Sequence, residues 1–138
     1  MAVVNTEPIY SKVGDIQWTG IITAANTAKD GTGTVNTVFA ADATNGGFVR
    51  SVVMKSAGTC VQTVARLFLN NGSTNATAGN NTMIREITLP AITNSETAAQ
   101  PDIEVPIGFA LPPGYKINVT LGTAVSAGWH FTGIGGKY

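Results

Sequence analysis

The sequence predicts an all-β protein, an antiparallel β-sandwich of jelly-roll type with about eight strands. Three observations lead there. Apolar residues recur with a period of two in most segments, as in Ile103-Val105-Ile107-Phe109 and Ile117-Val119-Leu121, the spacing that places one set of side chains on one sheet face. Clusters of Gly, Asn, Asp and Pro interrupt these runs at short intervals. Val and Thr are abundant, and no segment carries the apolar spacing of a long amphipathic helix.

Taken in order, strands are expected over Asp15–Thr23, Thr34–Ala41, Gly47–Lys55, Cys60–Asn70, Thr82–Leu89, Asp102–Leu111, Tyr115–Gly122 and Gly128–Ile134. Residues 1–14 are expected to form an extended arm, with Pro8 confining it to an edge, and residues 15–138 a single sandwich domain. In the third strand Phe48, Val52 and Met54 face inward; Arg50 shares their parity and so needs a partner or an exit. The fourth strand is apolar on both faces, with Val61, Ala65, Leu67 and Leu69 opposed by Val64 and Phe68. Such a strand is central in its sheet or touches a second subunit. Trp18, Trp129 and Phe131 are expected core anchors, because aromatics bury the largest areas.

The connections follow from turn chemistry. Pro112-Pro113-Gly114 sets a tight turn, which reads as a hairpin between the two runs beside it. Asp30-Gly31-Thr32-Gly33 also reads as a hairpin turn. Asn70–Asn81 has no apolar anchor and reads as a mobile or partner-ordered loop. Asn94–Ala99 could hold one helical turn before Pro101 stops it.

Composition narrows the chemistry. The chain has 138 residues, eight Lys plus Arg against eight Asp plus Glu, and only 12% charged residues. Scattered cations in a neutral chain do not form the basic stripe that nucleic acid requires, so no nucleic-acid partner is expected. No apolar run is long enough to span a bilayer, so no membrane partner is expected either, and the first residues do not read as a secretory signal. Cys60 is the sole cysteine and reads as a small buried hydrophobe; folding in a cytoplasm is the expectation.

No constellation points to catalysis, a cofactor or a metal. His130 is the only histidine and lies on the face opposite Trp129 and Phe131. Asp102 and Glu104 share a strand face at roughly 7 Å, a carboxylate pair that serves better to discourage edge pairing than to cleave glycosides. Asp42-Ala43-Thr44-Asn45-Gly46-Gly47 opens like a calcium loop, yet Val53 stands where a bidentate Glu belongs. The Asn-x-Ser/Thr triplets at Asn71, Asn75, Asn80 and Asn118 are what a chain rich in Asn and Thr produces by chance. The chain is expected to be no enzyme.

The runs I-Q-W-T-G-I-I-T-A-A-N-T-A-K-D-G-T-G-T-V, V-A-R-L-F-L-N-N-G-S and L-P-P-G-Y-K-I-N-V-T-L-G-T-A-V-S-A-G-W-H resemble a group of small tailed-phage and prophage virion proteins over nearly the whole chain. The resemblance carries no catalytic residues. By analogy with jelly-roll decoration, or cement, proteins of phage heads, it implies a homotrimer that stabilises the capsid by binding the major capsid protein across subunit junctions. The alternative is a receptor- or glycan-binding module of a tail or head fibre, with Trp18, Trp129, Tyr115 or Tyr138 as stacking faces.

Overall fold

A computed structural model describes residues 11–138. It contains β1 (Val13–Trp18), β2 (Asn36–Ala40), β3 (Gly47–Ser56), β4 (Thr63–Asn70), β5 (Asn81–Leu89), β6 (Ile103–Leu111), β7 (Lys116–Leu121) and β8 (Trp129–Lys137). Among the described residues the only helical element is one 3-10 turn, Ala78–Asn80. The arm expected over residues 1–14 lies largely outside the described residues; Val13 and Gly14 already belong to β1.

The strands form two four-stranded sheets, ordered β1-β8-β3-β6 and β2-β7-β4-β5, with every strand pair antiparallel. The pairs β1–β8, β2–β7, β3–β6 and β4–β5 are those of one long hairpin, and the pairs β3–β8 and β4–β7 close it when it rolls up. This is the jelly roll expected from the sequence. Between the sheets lie Trp129, Phe39, Phe131, Met54, Leu67, Leu121 and Val49, all fully buried.

Rolling up changes what the turns do. Pro112–Tyr115 is a tight turn, with Tyr115 N–H donating to the Pro112 carbonyl at 3.1 Å and Gly114 at φ 79°. That conformation suits a proline at the second position and glycine at the third. It joins no hairpin, however: β6 belongs to the first sheet and β7 to the second, so the turn carries the chain across the sandwich. The Asp30–Gly33 turn likewise sits within the long connection from β1 to β2 rather than in a hairpin.

Two other expectations are corrected. Phe48 does not face inward. A bulge at Arg50, where Val49 and Ser51 pair with the adjacent Gly135 and Ile134, shifts the parity of β3. Before it Gly47 and Val49 are buried; after it Val52, Met54 and Ser56 are. The bulge gives the guanidinium its exit to solvent and turns Phe48 to the outer face. Nor does the fourth strand begin at Cys60: Val61 is exposed, and β4 starts at Thr63.

The segment after β4 is an ordered amide network rather than a mobile loop. Asn75 Nδ2 donates to the carbonyls of Gly31 (3.2 Å) and Gly33 (2.8 Å), and Asn81 Nδ2 to those of Asp30 (3.2 Å) and Asn75 (2.9 Å). Asparagine is suited to this work because its amide supplies two donors and its carbonyl two acceptor sites. On the outer face of the second sheet Asn70, Asn118, Thr120 and Phe68 are buried within the single chain. The two-sided apolarity of β4 is thereby satisfied without a second subunit. Asn94–Ala99 makes no helical turn; Ser95 Oγ instead accepts from Thr97 N–H (3.1 Å) and Ala98 N–H (3.2 Å), closing a local turn.

Candidate functional site

The residues weighed for chemistry are dispersed. His130 is exposed beside Lys55, its partner across the β3–β8 ladder. Asp102 is paired with Lys55 Nζ at 2.5 Å, and Glu104 with Arg50 Nη2 at 3.7 Å, so each carboxylate has a cation of its own. The hydrogen bond from Lys55, and then its charge, hold the Asp102 carboxyl below the usual carboxylate range. Asp42 accepts from Thr44 N–H (2.9 Å) and Asn45 N–H (2.8 Å), an ordinary Asx turn. Asp30 does the same with the N–H and hydroxyl of Thr32. Cys60 is buried. Among the described residues no three His, Cys, Asp or Glu side chains converge.

What stands out is the outer face of the β1-β8-β3-β6 sheet. Trp18 is 71% exposed, beside Ile16 at 58% and Ile21 at 53%. Ile16 lies directly across from the half-buried Ile134 of β8, and Trp18 across from Thr132. Further along the same sheet Phe48, Phe109, Ala110, Ile134 and Tyr138 line an open depression of about 520 Å³ with Arg50 at its side. The ion pairs Arg50–Glu104 and Lys55–Asp102 border the face toward β6. Exposed pairs of this kind add little to stability, so their effect here is to give the apolar surface a polar border on its β6 side.

Trp18 is therefore not a core anchor, and the reason is local. The odd residues of β1 turn toward β2, the edge of the other sheet, where Gln17 Nε2 donates to the Ala40 carbonyl and Gln17 Oε1 accepts from Ala40 N–H, both at 2.9 Å. The Gln17 amide thus stands in for a neighbouring strand and ties the two sheets at their edge. With Gln17 turned inward, the strand period sends Ile16 and Trp18 outward. The alternation is visible in the sequence, but its direction depends on a polar side chain preferred inside over two apolar ones. Trp129, by contrast, is fully buried.

Comparison with protein-family models, with curated proteins and with solved structures gives no match to this chain.

Proposed function

We propose that this chain is a non-enzymatic structural protein of a phage virion, a capsid decoration protein that stabilises the head by binding the major capsid protein across subunit junctions. The observation that carries the reading is the apolar outer face built from Ile16, Trp18 and Ile21, with ion pairs bordering the sheet on its β6 side. An exposed apolar surface with a polar border suits packing against another protein. The jelly-roll order supports it by analogy, since capsid proteins share that architecture, and the whole-chain resemblance to virion proteins points the same way. Localisation to the virion, after assembly in a bacterial cytoplasm, belongs to this proposal. So does the threefold stoichiometry, which now rests on the resemblance, because β4 does not need a second subunit to bury Phe68.

The test compares thermal and osmotic rupture of particles carrying and lacking the protein. Particles lacking it should rupture more readily, and adding it back should restore them by mass action on the assembled shell. Trp18→Ala should abolish the rescue while leaving the isolated protein within about 0.5 kcal/mol of its original stability, as expected for an exposed position. Equal robustness with and without the protein refutes the reading. If such particles instead fail to adsorb to cells, the receptor- or glycan-binding alternative replaces it. The exposed Trp18 ring is the observation favouring that second reading, because an exposed indole offers a stacking face.

A further inference from the structure

Among the described residues the sandwich has four sheet edges: β1, β6, β2 and β5. An edge strand presents unpaired N–H and C=O groups, and proteins blunt such edges with proline, charge, bulges or short length. Three of these four carry two or more of these devices. On β6 stand Pro106, Glu104 and an irregularity at Gly108, whose φ is 72°. On β5 there is a bulge at Ile84, and Arg85 donates to the carbonyls of Ile84 (2.7 Å) and, across the gap, Pro106 (3.3 Å). β2 has five residues and a bulge, and Gln17 occupies both backbone groups of Ala40.

Among the described residues β1 is the least protected of the four, its one such device being a charge turned inward. Its sequence, V-G-D-I-Q-W, contains no proline, and its register with β8 is unbroken from Val13 to Trp18. The one charge, Asp15, is inward and bonded to Gln17 Nε2 at 3.0 Å. Thr19 N–H donates to Phe131. By the alternation of an antiparallel ladder, Val13, Asp15 and Gln17 therefore direct their backbone groups to β8, while Gly14, Ile16 and Trp18 direct theirs to the open edge. Among the described residues no strand pairs with that edge.

We propose that β1 pairs antiparallel with β1 of a second copy of this chain, across a twofold axis at Ile16. A twofold axis makes the same strand meet itself, so the register must be self-complementary. Centred on Ile16, it opposes Ile16 to Ile16 and Gly14 to Trp18 in both directions. All the outward-directed backbone groups then pair, giving up to about six hydrogen bonds. Asp15 falls opposite Gln17, so no like charges meet. Gly14 supplies the second, independent observation. Its φ is not positive, and a Cβ placed there would meet nothing within 4 Å, so nothing among the described residues calls for glycine. A Trp18 ring from the second copy does: an aromatic lying over a cross-strand glycine covers backbone that would otherwise be bare. The contact would also continue the apolar face across the axis, from Ile16 and Trp18 of one copy to those of the other.

The twofold contact does not depend on the virion reading, nor on the threefold arrangement implied by the resemblance, with which it could coexist as a six-chain assembly. The test is made on the isolated protein. Ile16→Cys places the one residue that meets itself on the axis, at a Cα separation of about 5.5 Å that a disulfide spans. Val61→Cys is the control, equally exposed but outside β1; native Cys60 is buried in both. Under mild oxidation Ile16→Cys should form a covalent dimer at least about tenfold faster than the control, because pairing raises the effective thiol concentration. Sedimentation should show an even number of chains in the unmodified protein, and Ile16→Lys, which sets two cations face to face, should halve it. Equal crosslinking rates, a single chain at roughly 100 µM, or a three-chain mass that Ile16→Lys leaves unchanged would overturn the proposal.

Discussion

Replacing Phe68 by alanine separates two ways of satisfying a strand that is apolar on both faces. Phe68 has no exposed surface in the single chain, yet it stands apart from the cluster between the sheets. It lies on the outer face of the second sheet, between Asn118 of β7 and Met83 of β5. The surrounding polar side chains are held by their own bonds, as with Thr37 Oγ1 to Asn118 Oδ1 at 2.8 Å and Asn70 Nδ2 to Asn81 Oδ1 at 2.8 Å. Such a frame cannot easily collapse into a cavity. The loss should therefore reach the usual range for a fully buried phenylalanine, about 3–5 kcal/mol. For a domain of this size that corresponds to a fall in Tm of roughly 10–20 °C. Denaturant unfolding followed by circular dichroism measures it, with the protein at two concentrations a hundredfold apart, roughly 1 and 100 µM. The loss should be the same at both. A cost below about 1 kcal/mol, or one that depends on dilution, would mean that a second subunit covers Phe68 and that the reasoning fails.

Two further outcomes follow from local geometry. Gly135→Ala should destabilise the fold by at least about 2 kcal/mol, since its Cβ would lie within 2.0 Å of the Phe48 carbonyl and 3.1 Å of Val49 Cα, neither of which can swing away; thermal melting of the variant within a degree or two of the parent would refute this. The Asn45 and Thr44 N–H groups hold the Asp42 carboxyl below its ordinary value. A depressed folded value stabilises above the unfolded value and is lost as pH falls through the folded one, so Asp42→Asn should flatten the decline of Tm between about pH 5 and pH 2. A carboxyl titration of Asp42 by NMR at or above the ordinary carboxylate range would contradict it.

What the sequence determined by itself is local. Period-two runs place all eight strands, and their chemistry is of short range: alternation decides which residues share a face, and Pro113-Gly114 sets a turn because proline and glycine restrict or free their own φ. The sole histidine is equally plain from the chain, whereas Asp102 and Glu104, which read as a pair, are separated by their own cations, Lys55 and Arg50, only in the fold. The tertiary structure decided everything that depends on a partner distant in sequence. The Pro112–Tyr115 turn has the same conformation whether it closes a hairpin or crosses between sheets, and only the pairing of β6 with β3 makes it cross. The alternation in β1 is symmetric under inversion, and the Gln17–Ala40 hydrogen bonds break that symmetry, putting Trp18 outside. One inserted residue at Arg50 exchanges the faces of β3 and moves Phe48 onto the candidate surface. In the Asn70–Asn81 segment each amide is locally indifferent, and order arises when Asn75 and Asn81 reach carbonyls some forty to fifty residues away. Burial and long-range hydrogen bonds carry no signature in local periodicity, because their free energy depends on where the rest of the chain has gone.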